Sequence, residues 1–103
     1  MEAQTNWEEI PLLDNRDKKQ FELRTDKHLI RIEYILAGPR MFLTHTEVPR
    51  ELEGQGLGSI IIRRVLDEIR ERKLKLVPLC PFVAAFLQKN EAYLDLLAEG
   101  YHV

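Results

Sequence analysis

The stretch Glu51–Leu87, "ELEGQGLGSIIIRRVLDEIRERKLKLVPLCPFVAAFL", decides how the chain folds. Gly54, Gly56 and Gly58 recur at every second position in and after the loop "PRELEGQG". An apolar pattern starts at once: Leu57, Ile60, Ile61, Ile62, Val65, Leu66 and Ile69 fall at helical spacing, which predicts a helix with one buried face ending near Arg72. Leu74–Cys80 is short and almost wholly apolar, as expected of a strand covered on both sides. Pro81 suits the first position of a second helix, to which Phe82, Val83, Phe86 and Leu87 give an apolar side. A last helix is expected over about Glu91–Ala98, stopped by Gly100.

Upstream, Gln20–Thr25, His28–Leu36 and Met41–Val48 read as strands, with Asp26-Lys27 and "AGPR" as turns between them. Three strands on short turns make an antiparallel meander. If Met41–Val48 and Leu74–Cys80 are neighbours, the helix between them requires a right-handed crossover and parallel pairing. The fold class is therefore α+β: a meander followed by a βαβ unit and C-terminal helices.

The 103 residues suit one domain, and 45% hydrophobic with 31% charged residues argues against disorder. Residues 1–15, "MEAQTNWEEIPLLDN", are irregular and are expected to form a loosely ordered extension before a single domain at 16–103. A net charge of −2 gives no general affinity for nucleic acid, and the densest basic cluster (Arg63, Arg64, Arg70, Arg72, Lys73 and Lys75) reads as a solvated helix face. One cysteine excludes an internal disulfide and a Cys-rich zinc site, and no His, Asp and Glu spacing suggests a metal. No apolar run approaches the ~20 residues of a membrane span. The acidic N-terminus lacks the parts of a secretory signal, so an intracellular, cytoplasmic location is expected.

The first amides of a helix have no partner inside it, and the helix dipole favours negative charge there. Glycine removes the Cβ that would block an approaching anion. Gly54, Gly56 and Gly58, with the Ser59 hydroxyl, form a candidate phosphate cradle; a ligand-free connecting turn is the alternative. The spacing is neither G-x-G-x-x-G, because Ser59 takes the third position, nor a P-loop. Cys80 ends a strand immediately before a helix start, where a thiolate is stabilised, so it is a candidate nucleophile or proton donor; a buried small hydrophobe is the other reading. His45, between Thr44 and Thr46, is a candidate general base.

The same stretch resembles the GNAT acetyltransferase superfamily, whose acetyl-CoA motif is Gln/Arg-x-x-Gly-x-Gly/Ala; Glu53 to Gly58, "EGQGLG", stand at the matching positions. "FLTHTEVP", "EGQGLGS" and "VPLCPFVAAF" are similar to the small single-domain Yjdj-type branch, over about residues 20–97. The resemblance implies a reduced GNAT fold. It implies that Gln55, Gly56, Leu57, Gly58 and Ser59 hold the pyrophosphate of acetyl-CoA. It further implies a pantetheine arm between splayed strands at Thr46 and Val48, and distal contacts from Lys89 and Asn90. Two positions depart from the family: Glu53 replaces the favoured Gln or Arg, and Leu87 stands where many members carry a tyrosine acid. The expected function is acetyl-CoA-dependent transfer of an acetyl group to an amine of a small molecule or protein. Cys80 would serve as acid or acyl carrier and His45 as base. A CoA-binding or interaction module with little catalysis is the second reading, and a redox-sensing thiol is a third.

Overall fold

The computed structural model describes residues 5–103. Strands β1 (Leu13–Asn15), β2 (Gln20–Arg24), β3 (Leu29–Ala37) and β4 (Arg40–Glu47) form the meander, and β5 (Lys75–Pro78) joins β4 in parallel, giving one sheet in the order β1-β2-β3-β4-β5. Helix α1 (Leu57–Glu71) is the crossover between β4 and β5, and α2 (Pro81–Lys89) follows β5. The last expected helix is a shorter 3-10 segment, Glu91–Leu96.

Alternation in β2 and β3 puts Phe21, Leu23, Ile30, Ile32 and Tyr34 on one face of the sheet, where they are buried. Helix α1 covers that face with Leu57, Ile61, Ile62, Val65, Leu66 and Ile69. Each such side chain, fully buried, contributes about 1.5–3 kcal/mol. Leu36 shares the alternation but is half-exposed at the hairpin end. Leu76 and Val77 point to opposite faces and both are fully buried, so β5 is covered on both sides as its composition requires.

The N-terminal segment departs from expectation. Residues 1–4 lie outside the described residues, but Trp7 is 7% exposed within the core and Leu13–Asn15 pairs with β2. Arg64 on α1 donates to the carbonyls of Trp7 and Ile10. Backbone carbonyls recognised by a distant arginine leave no periodic trace, which is why the segment reads as loose. The basic cluster is likewise engaged within the molecule rather than merely solvated. Arg63 pairs with Glu8, Arg70 with Asp95, and Arg72 with both Asp14 and Glu68.

Candidate functional site

Strand β4 outlasts its partner. Its ladder to β5 covers Arg40–Leu43, and the amides of Leu79 and Cys80 both end on the Leu43 carbonyl, at 3.1 and 2.9 Å. Thr44–Glu47 therefore has no β5 neighbour, and the two strands part there. On its other side, β4 carries a bulge: Tyr34 opposes Leu43 while Glu33 opposes His45, so Thr44 is the extra residue. The bulge advances the alternation by one. Met41, Leu43 and Thr46 face the core, while His45 and Glu47 face outward.

Helix α1 begins where the strands part. Gly54 and Gly56 have φ of +85° and +74°, the left-handed region that L side chains avoid, and a Cβ at either would meet open space. No side chain caps the helix, and its first turn carries no acid. The first intrahelical bond is donated by Ile60 to Gly56, which leaves the amides of Leu57, Gly58 and Ser59 without acceptors in the helix. A phosphate fits this open, uncapped turn.

Two adjoining cavities meet at this point. One, of about 540 Å³, lies between the start of α1 and helix α2, walled by Gly54, Gly56, Gly58, Ser59, Phe86 and Lys89 among others. The second, of about 240 Å³, follows the free end of β4 past His45, Thr46 and Glu47. Val48, Glu53, Gly58 and Phe82 line both, so the pair forms one bent groove. Phe82 is 66% exposed at the junction.

Thr46, Val48, Gly56, Leu57, Gly58, Ser59, Lys89, Asn90 and His45 all lie on this groove; Gln55 is exposed but on neither wall. Cys80 also lies on neither. It is 2% exposed, caps α2, and its Sγ lies 3.4 Å from Thr46 Oγ1, the hydroxyl of a residue in the wall of the smaller cavity. Leu87 is fully buried, packed as core.

The sequence reading missed Glu47. Its Oε2 lies 3.3 Å from His45 Nε2 and also accepts from Arg31, which in turn donates to Glu33 and Gln20. The hydrogen bond from Arg31, then that from His45, holds the Glu47 carboxyl below its ordinary range. The i, i+2 spacing of His45 and Glu47 on one strand face was the available signal. Among the described residues, no group of three His, Cys, Asp or Glu side chains is placed to hold a metal, and no helix is long and apolar enough to cross a membrane.

This arrangement of meander, crossover helix and parted parallel strands is matched by known proteins. The sequence profile of the GCN5-related N-acetyltransferase family matches residues 20–96, and the chain belongs to that family. Its fold is similar to the solution structure of a GCN5-like protein from Staphylococcus aureus, provisionally assigned as an N-acetyltransferase. The TM-score is 0.67 at 27% identity, over 90% of this chain and 92% of that one. No curated protein matches the chain significantly.

Proposed function

We propose that the protein transfers an acetyl group from acetyl-CoA to an amine by direct attack, without an acyl-enzyme. The observation that supports it is the groove from the unpaired amides of Leu57–Ser59 to Thr44–Glu47, whose β5 side is free. In this reading, those amides and the α1 dipole hold the pyrophosphate, Lys89 and Asn90 reach its distal part, and the free edge of β4 bonds the amides of the pantetheine arm. That path brings the thioester to the smaller cavity.

His45 donates one ring N–H to Glu47 and uses its other nitrogen as a base on the incoming ammonium. The amine nitrogen bonds to the carbonyl carbon, the C–S bond breaks, and its electron pair leaves on sulfur. The Thr46 hydroxyl gives that sulfur a proton and takes one from Cys80, and the second proton that the nitrogen sheds as the amide forms returns through Thr46 to Cys80. Burial of Cys80 favours this relay over an acetyl group carried on its sulfur, because Sγ has no surface on the groove.

NMR with saturating CoA tests the cradle: the amides of Gln55–Ser59 shift, and unmoved signals would refute it. Mass spectrometry during turnover with acetyl-CoA and an amine finds Cys80 unmodified; an acetylated Cys80 formed as fast as product overturns the direct route. The burial of Leu87, which puts no hydroxyl on α2, supports the second reading, a CoA-binding module. Tight CoA binding by calorimetry with no thiol release across a panel of amines identifies that case.

A further inference from the structure

The face of the sheet turned away from α1 carries two polar rows in register. Glu22 on β2 stands opposite Arg31 on β3, which stands opposite Glu47 on β4; beside them run Gln20, Glu33 and His45. His45 thus meets two carboxylates. Glu33 is its cross-strand neighbour, and Glu47 Oε2 lies 3.3 Å from its Nε2. Arg31 bonds both. Its Nη1 donates to Glu33 Oε2 at 3.0 Å, and its Nη2 to Glu47 Oε2, the same oxygen that His45 approaches. The guanidinium is itself fixed from the other side. Gln20, which is buried, accepts from Arg31 Nη1 at 3.3 Å and donates to the buried Glu22 carboxylate at 2.6 Å. A guanidinium only donates and an ionised carboxylate only accepts, so the two ions dictate which way the Gln20 amide points. From the other elements around the smaller cavity, the loop before α1 brings the Glu53 carboxylate, and α2 brings Phe82, which carries no charge.

We infer that Arg31 is a positioning residue for His45: it neutralises the two carboxylates that flank the imidazole and so keeps the ring available as a base. Arg31 lines neither cavity, so it acts through Glu33 and Glu47. Carboxylates beside an imidazole favour its protonated form, which cannot take a proton from an ammonium. A cation bound to both of them opposes that effect. The inference rests on the acetyltransfer reading above, which gives His45 its task; the arrangement of charges stands without it.

The test is the pH profile of kcat/KM for one amine at saturating acetyl-CoA, in the wild type, Arg31→Met and Arg31→Lys. Titration of the amine is common to all three and cancels in the comparison. In Arg31→Met the ascending limb moves up by about 0.5–1 pH unit, the range for half-exposed carboxylates close to an imidazole. Below the limb that is a loss of about three- to ten-fold in rate. Arg31→Lys keeps the charge and moves the limb by less than half as much. CoA calorimetry shows that each variant is folded, because Arg31 is not in the groove. Arg31→Gln replaces Arg31→Met if that variant does not fold. A lower plateau with the limb unmoved would make Arg31 merely structural and overturn the inference, as would an equal shift in Arg31→Lys.

The His45 ring signals, titrated by NMR without substrate, separate this inference from the acetyltransfer reading. Their midpoint is higher in Arg31→Met than in the wild type by the same amount as the limb. Equal midpoints overturn the inference even in an active enzyme. A higher midpoint in a protein that releases no thiol with any amine refutes catalysis and keeps the control of His45 by Arg31.

Discussion

The glycines around the start of α1 are not equivalent. Gly56 must have positive φ to start α1, and Gly58 need not, since it is already helical. A Cβ on Gly58 would lie 3.9 Å from Val48 Cγ2, an ordinary contact, but at the point where the two cavities join. Gly56→Ala therefore destabilises the fold by about 1 kcal/mol through left-handed strain. Gly58→Ala stabilises it by a few tenths to about 1 kcal/mol, as alanine does in helices, while weakening CoA binding. Denaturant titration with CoA calorimetry checks the pair. A Gly58→Ala protein that is more stable and binds CoA as well as the wild type would remove that residue from the site. Glu22 makes the same point for buried charge. Burial opposes its ionisation, but hydrogen bonds from Gln20, Asn15 and Arg24 together outweigh that and hold its carboxyl below the ordinary range. A lowered native value means that the unfolded chain takes up the proton first. The stabilisation is present above the unfolded value of about 4.3 and is lost as pH falls through the native one. Glu22→Gln keeps one acceptor oxygen but turns an amide N–H₂ either toward Arg24 or toward Asn15 and Gln20, and costs about 1–3 kcal/mol at neutral pH. The gap between the two proteins closes in acid, as unfolding measured across pH will show.

At the scale of elements, helix positions and strand neighbours were legible because burial writes itself into the sequence as a period. Isoleucines at helical spacing located α1, and the short apolar run located β5. What escaped reading has no period. The Thr44 bulge turns His45 from the Met41 and Leu43 face to the open one, yet "FLTHTEVP" carries no glycine or proline inside the strand to announce it. The pairing of Glu47 with Arg31 follows from that register and was hidden with it. The end of α1 is a second such case. Lys73 holds φ of +58° while its amide bonds Arg70 and that of Leu74 bonds Ile69, the two hydrogen bonds of a Schellman close. Glycine is the usual residue there, and a lysine gave no such signal. Lys73→Gly is expected to raise stability by about 0.5–1 kcal/mol, because it relieves left-handed strain at a small cost in chain entropy. An unchanged or lower midpoint in urea would show that the lysine side chain contributes more than its backbone loses.

Across the whole molecule, a single helix carries two unrelated loads. The N-terminal end of α1 opens onto the groove, while Arg63 and Arg64 on its flank hold the segment that contains Trp7. No residue of that segment lines either cavity. Stability and ligand binding should therefore separate cleanly. Trp7→Ala removes a large buried ring and is expected to cost about 3 kcal/mol. Arg64→Ala leaves the Trp7 and Ile10 carbonyls without their charged donor and is expected to cost about 1–3 kcal/mol. Both variants, where folded, keep the CoA affinity of the wild type. Circular dichroism follows the unfolding of each. In Arg64→Ala the only tryptophan of the chain reports directly on the docked segment, its emission shifting to the red if the segment detaches before the sheet melts. A loss of CoA affinity matching the loss of stability would instead mean that the segment supports the glycine turn through the helix, and the two loads would be one.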